Sequence, residues 1–263
     1  LIAMIFYRKK IYVATRVAIL FTACYFSSSP IFASENICIT NSIINAAKKG
    51  EMQSQFMLGK AYALGTNTSS GCLAIAPNET EAAKWLRLLA LQGDEFGQFM
   101  MAIFHTDGYG DIKQDATEAT RWLILAAEHG NAEYQRMVAS RYASGIGVTQ
   151  NYAESIKWYR RAAEQDDADS QFRLASLLLI EKKYEESLKW LRVSAEKGNL
   201  ISQTTIASLL FNGEGVKKDT IEAIKWYRNA AEQGDTSSQK KLGEIYAEGL
   251  GIKARVLGSK RPS

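Results

Sequence analysis

The chain is short of the side chains on which most catalytic and metal centres are built. It has two histidines and three cysteines in 263 residues. His105 and His129 have no cysteine or spaced acidic set near them of the kind that completes a metal site, and they fall on framework positions of a repeat described below. No serine or cysteine is placed beside a plausible base. Three prolines, against plentiful Ala, Leu, Glu, Lys and Gln, favour helix over strand. Acid is missing from the first 33 residues, which hold Arg8, Lys9, Lys10 and Arg16. From Ser34 onward the remaining 28 Lys and Arg therefore balance the 28 Asp and Glu. A neutral chain of this kind has no bulk attraction for nucleic acid or an anionic membrane.

Long apolar runs are also missing. Val17 to Phe26 is too short for a transmembrane helix. Flanked by the basic cluster Arg8-Lys9-Lys10 and by Ile31-Phe32-Ala33 before Ser34, it has the three parts of a secretory signal, with cleavage expected after Ala33. Phe21-Thr22-Ala23-Cys24 loosely matches a lipobox in which Cys24 would be acylated, although the Phe fits poorly. Retention as a membrane anchor is a third outcome, and Met4 is a candidate start. The expected location is periplasmic or secreted, with no stable membrane insertion after cleavage. In an oxidising compartment Cys38 and Cys72, the two cysteines left, are either bridged or two free thiols.

What is present is a repeat. The five tryptophans, Trp85, Trp122, Trp158, Trp190 and Trp226, are spaced by 37, 36, 32 and 36 residues. Each has a basic residue just before it, a Glu four positions upstream, and Leu or Tyr just after. Five residues beyond each Trp stands Ala, and eight beyond stands Gly93, Gly130, Asp166, Gly198 or Gly234, a C-cap position suited to the left-handed conformation. Asp94, Asn131, Asp167, Asn199 or Asp235 follows as an N-cap. One helix stops there and another begins.

The second helix type carries Gln at 55, 98, 135, 171, 203 and 239, followed by an apolar and a small residue three and four positions on. Seven residues after Gln stands Tyr62, His105, Tyr142, Leu178, Leu210 or Tyr246, completing an amphipathic stripe. The turn back to the Trp helix reads Gly145-Ile146-Gly147-Val148, Gly213-Glu214-Gly215-Val216 and Gly249-Leu250-Gly251-Ile252, with a looser Gly108-Tyr109-Gly110. The fourth copy replaces it with Glu181-Lys182-Lys183, and the first expands into Gly65 to Asn78. The glycine turns are not phosphate loops, since they follow helices and lack the downstream Lys-Ser/Thr.

Leu-Gly, Tyr, Gly-x-Gly-Val, Ala-x-x-Trp-Tyr and Ala-Ala-Glu-Gln-Gly in this order resemble the Sel-one-like repeat family, relatives of the tetratricopeptide repeats. Tyr152 to Gln165 and Ile221 to Gly234 match it nearly residue for residue. The resemblance implies an all-α fold, a right-handed superhelical solenoid of antiparallel helix hairpins used as a scaffold or adaptor. The physics agrees, because one hairpin cannot bury its apolar face alone and must stack on neighbours. The expected organisation is a signal peptide over 1–33, a capping helix over 34–50, five repeats and a sixth half repeat over 51–252, and a tail over 253–263.

The Trp stripe and the Glu-x-x-Lys pairs read as core and as exposed i,i+3 ion pairs. Function then falls to positions two, five and nine after each Gln, which share a face that the core stripe leaves free; in this family that face lines the concave surface. The candidates for binding a protein or peptide are Met57, Met100, Ile103, Met137, Ser140, Arg173, Ser176, Thr205 and Lys241. Met57, Met100, Ile103 and Met137 suggest an adaptable apolar patch, unless the next repeat covers them. The expectation is a non-enzymatic scaffold with no cofactor. A cell-wall-active hydrolase of β-lactams or peptidoglycan, or a regulator of one, is the alternative. In a eukaryotic secretory pathway Asn67-Thr68-Ser69 and Asn78-Glu79-Thr80 would be glycosylation acceptors.

Overall fold

The computed structural model describes residues 38–66 and 71–249. The signal segment 1–33 with Ala33 and Cys24, the Asn67 acceptor and the 253–263 tail lie outside the described residues. Twelve helices run along the described chain: α1 (Asn41–Lys48), α2 (Met52–Leu64), α3 (Glu79–Leu91), α4 (Glu95–Asp107), α5 (Ala116–Glu128), α6 (Ala132–Ser144), α7 (Tyr152–Ala163), α8 (Ala168–Ile180), α9 (Tyr184–Glu196), α10 (Leu200–Asn212), α11 (Thr220–Glu232) and α12 (Thr236–Ala247). The fold is all-α. It divides into two compact units, one ending at Asn151 and the other starting at Tyr152. The first holds α1–α6 and the second α7–α12. Within each, consecutive helices pack on one another.

The junctions between Trp helices and Gln helices repeat one chemistry. A helix end leaves carbonyls without intrahelical donors, and at each junction a buried Gln of the next helix reaches back to one of them. Nε2 of Gln55 donates to Ala47 O at 3.2 Å, of Gln135 to Ala127 O at 3.4 Å, of Gln171 to Ala163 O at 3.2 Å, and of Gln203 to Ala195 O at 3.0 Å. Gln239 does the same with Ala231 O at 3.1 Å. The other end of the amide is used as well. Gln55 Oε1 accepts from Gln92 at 2.7 Å, Gln98 Oε1 lies 3.2 Å from His129 Nε2, and Gln203 Oε1 accepts from Gln233 at 2.7 Å. Each such Gln therefore ties the helix before it to the end of the next Trp helix.

The backbone between them follows the expected pattern. Gly93, Gly130, Gly198 and Gly234 have positive φ, as does Asp166 at 72°. Asp94, Asn131, Asp167, Asn199 and Asp235 each accept from backbone amides in the first turn that follows. Asp166 is held in place by Gln171 and by Lys197, whose hydrogen bond draws its carboxyl below the usual Asp range. Lys197 occupies the place where Gln92 and Gln233 stand in other copies. With Lys197 turned to Asp166, Gln171 Oε1 is left buried without a partner.

The Gly-x-Gly turns do more than reverse the chain. A Cβ on the second glycine would collide with the start of the preceding Trp helix: Gly110 with the Glu79 backbone, Gly147 with the Ala116 carbonyl, Gly215 with the Tyr184 ring. Each turn thus docks on the first turn of the neighbouring copy's helix. In the first unit this dock is reinforced by Thr120, whose Oγ lies 3.0 Å from Ile146 O. Arg141 of α6 donates to Thr120 and to Thr106 of α4, both at 2.9 Å. In the fourth copy, where the second glycine is missing, Lys182 takes φ 57°.

The first copy closes differently. Cys38 is joined to Cys72, with Cα atoms 5.0 Å apart. Leu73 N donates to Ile39 O at 2.8 Å. Ile39 is thereby buried over Ala47, Leu58, Ala61 and Trp85. The remaining loop backbone is held by Thr66 against Ile75, and Asn78 caps α3 through its side-chain oxygen.

Two substitutions test the junction and the turn. Gln203→Met, which keeps the volume and removes both amide bonds, is expected to destabilise by about 2 kcal/mol by stranding a buried carbonyl; thermal unfolding followed by circular dichroism measures it. Gly147→Ala is expected to cost roughly 3 kcal/mol or more, because positive φ and collision with a backbone carbonyl act together. Gly145→Ala, with only φ to strain and looser contacts, should cost about 1 kcal/mol; equal losses at the two glycines would contradict the docking account. A third measurement concerns the bridge. Its 34-residue separation corresponds to roughly 3–4 kcal/mol in the chain-entropy account. Reductant should lower the melting temperature of the protein but not that of Cys38→Ser/Cys72→Ser, and alkylation of two thiols without reductant would show the bridge is not there.

Candidate functional site

The candidate face is laid out on the Gln helices, and burial divides it. Met100 is 0% and Ile103 2% exposed, so the apolar patch expected there is not on the surface. The reason lies in the second copy's turn. Tyr109 and Ile112 fold back on each other, Tyr109 stacks on Phe104 with ring centroids 4.3 Å apart, and these residues join Met100 and Met101 in one core with Leu86 and Leu89. Phe99 stacks on Tyr134 at 4.3 Å. Gly97, placed against the Ala90 backbone, lets α4 press close to α3, and residues 97–104 are all buried. Burial also lifts the Tyr109 hydroxyl well above the ordinary tyrosine range.

The other candidates of the first unit stay closer to solvent. Met57 is half-buried beside the Ile39 core. Met137 is half-buried and Ser140 exposed. Lys60, five positions after Gln55, is pulled below the ordinary lysine value by burial.

In the second unit the face is polar with an aromatic floor. Arg173 is exposed, pairs with Asp169 at 3.0 Å and is hydrogen-bonded to Tyr159. Ser176 and Thr205 spend their hydroxyls on helix carbonyls, donating to Phe172 O at 2.9 Å and Ile201 O at 2.7 Å. Lys241 lies 4.8 Å from the centroid of Phe211 and 3.3 Å from Glu244, and Lys218 approaches the same ring at 5.5 Å. Phe211 meets Tyr227 edge-on at 6.4 Å. Tyr227 is hydrogen-bonded to Ser208, and burial raises its hydroxyl. The residues missed in the sequence, Tyr159, Phe211 and Tyr227, had a signal. Two of them are the Tyr of Trp158-Tyr159 and Trp226-Tyr227, where other copies have Leu.

The Trp helices correct two further expectations. Trp85 and Trp158 are buried, whereas Trp122, Trp190 and Trp226 are half-buried. Glu81, Glu118 and Glu154 make the expected i,i+3 pairs with Lys84, Arg121 and Lys157. Glu186 and Glu222 instead cross to the preceding copy, to Arg160 at 2.6 Å and bidentately to Arg192 at 2.9 and 3.1 Å. An arginine two residues past each Trp reaches them where a lysine before the Trp would point outward.

No group of three or more His, Cys, Asp or Glu suited to a metal ion occurs among the described residues. His129 bonds Gln98, and His105 Nδ1 is buried without a partner. No described helix is long and apolar enough to cross a membrane.

The Sel1 repeat model matches residues 53–94, 96–131, 132–167, 168–199, 202–235 and 236–255. The chain belongs to the Sel1 repeat family. Its junctions and turns recur in solved relatives. The chain is similar to c5321, a protective antigen present in uropathogenic Escherichia coli strains that displays an SLR fold, at 33% identity and a TM-score of 0.60. That match covers 79% of this chain and 44% of the E. coli protein, so the chain spans less than half of that relative's length. A Sel1 repeat protein from Oxalobacter formigenes is 32% identical with a TM-score of 0.55, over 65% of this chain and 72% of that one. No curated protein matches significantly. A helical-repeat solenoid of this family is typically a protein–protein interaction scaffold.

Proposed function

We propose that this Sel1 repeat chain is an exported, non-catalytic scaffold that holds a protein segment or peptide along its Gln-helix face. The observation that supports this most is the face of the second unit. Arg173 and Lys241 stand at the same register of two helices, each beside an aromatic side chain, with the half-buried Ser176 and Thr205 at neighbouring positions. Backbone-satisfied hydroxyls and cations over rings suit a ligand that offers carboxylates and apolar groups together. The polar, shallow chemistry is that of adhesion, with no nucleophile set against a base.

Export is supported by the basic, apolar and small-residue order of residues 8–33 and by a disulfide, which lasts in oxidising compartments. A place in the periplasm or outside the cell also fits the nature of the E. coli relative as a protective antigen.

The test is capture of binding partners from envelope and secreted fractions by residues 34–263, compared with an Arg173→Glu/Lys241→Glu variant. Both side chains are at least partly exposed, so the helical signal should be unchanged while recovery of the captured chains falls by roughly tenfold. Undiminished recovery would move the binding face elsewhere. Turnover of peptidoglycan or a β-lactam by the purified protein, lost on a single substitution, would overturn the non-catalytic reading.

A further inference from the structure

The second unit carries an inter-repeat ladder that stops with one rung open. Arg160 and Arg192, each two residues past a Trp, pair with Glu186 and Glu222, each four residues before the next Trp. Glu222 also accepts from Trp226 Nε1 at 3.1 Å, so the glutamate fixes the incoming helix as well as the charge. Arg228 is the third arginine of this series. It is exposed, and it rests on the Tyr246 hydroxyl at 3.0 Å; Glu232 of its own helix is the carboxylate whose field it feels. The glutamate of a following Trp helix is absent among the described residues.

The face next to Arg228 is open in the same sense. The small residue four positions after each Gln is buried at Gly59, Ala102, Ala139, Ala175 and Ala207. At Gly59 an added Cβ would come within 2.7 Å of Leu86 on the following Trp helix. At Gly243, its equivalent on α12, a Cβ would meet nothing within 4 Å, and Gly243 is exposed. Tyr246, at the register where Leu178 and Leu210 are buried, is 41% exposed. The acceptor end of Gln239 is likewise without the donor that Gln233 gives Gln203, among the described residues.

We propose that this face of α12 is a docking site for an amphipathic helix of a second protein, one that carries a glutamate four residues before an aromatic. The glutamate pairs with Arg228, and the apolar stripe lies over Gly243 and Tyr246. Charge decides against two nearer occupants. Residues 250–263 hold Lys253, Arg255, Lys260 and Arg261 and no acid, so this stretch brings no glutamate to Arg228. A second copy offers at its first helix Asn41–Lys48, followed by Lys49, again with no acid, and its Trp helices are already packed in their own units. The site is separate from the Gln-helix face and stands whether or not that face binds a ligand.

The probe is a hydrocarbon-stapled, fluorescent peptide copying residues 219–234, the chain's own Glu222-to-Trp226 helix, titrated into residues 34–263 and followed by anisotropy. Saturable binding is expected. Gly243→Leu fills the groove where nothing in the fold opposes it, and should weaken binding by roughly tenfold or more without lowering the melting temperature. Arg228→Glu should weaken it about threefold, and a peptide with Lys in place of its glutamate should bind the Arg228→Glu protein better than the unchanged protein. Absence of binding, or binding indifferent to Gly243→Leu, overturns the proposal. So does binding seen only after residues 250–263 are removed, which makes the chain's own tail the occupant. Concentration-dependent self-association in sedimentation velocity that Gly243→Leu abolishes overturns it in favour of a second copy.

Discussion

A carbonyl at the end of a helix that would otherwise be buried without a donor is the constraint on which this structure turns. A solenoid of short helices multiplies such ends, and stacking buries them before water can satisfy them. The buried glutamine solves this from the next helix, eight residues on, with an amide that is at once donor and acceptor. Its donor side serves the helix just ended, and its acceptor side takes a proton from the following copy. Neither a serine nor a leucine has that reach and that pair of functions. The glycine and the Asp or Asn that precede it set the backbone so that the reach succeeds. This accounts for the coincidence of three residue types at one spacing, and for their recurrence at nearly every junction.

Where the arrangement departs from this rule, the departures are local and physically linked. With Lys197 in place of a glutamine, the lysine goes to Asp166, the one non-glycine in the left-handed position of these junctions, and Gln171 loses its second bond. The fourth copy also lacks the glycine turn. The middle of the second unit is thus joined by charge where its neighbours are joined by amides.

The fold was legible because its determinants are local and periodic. Tryptophan, glutamine and glycine act within their own hairpin or at its next junction, so their spacing carries their role. Exposure was not legible, because it depends on what a turn in the same copy does after the helix ends. Met100 and Ile103 occupy the register of Arg173 and Ser176, but Tyr109 and Ile112 fold back and the second copy closes around them. The glutamates show the same limit. Glu118 and Glu222 have identical neighbours in register, yet one pairs within its helix and the other across to Arg192, a choice set by which residue the preceding copy presents. The second glycine of the turn had the plainest sequence signal and the least legible reason, since the backbone it must clear belongs to the preceding copy.

The disulfide gives the chain a direction. Linear arrays of repeats open from their ends, because an end repeat has a neighbour on one side only. Here one end is covalently closed: the segment that buries Ile39 cannot lift away while Cys38 and Cys72 are joined. The other end finishes on a helix with an uncovered flank. Thermal fraying of the array is therefore polarised, entering through α12, so that the helices least protected from exchange with solvent are the last to leave the ribosome and the first to yield.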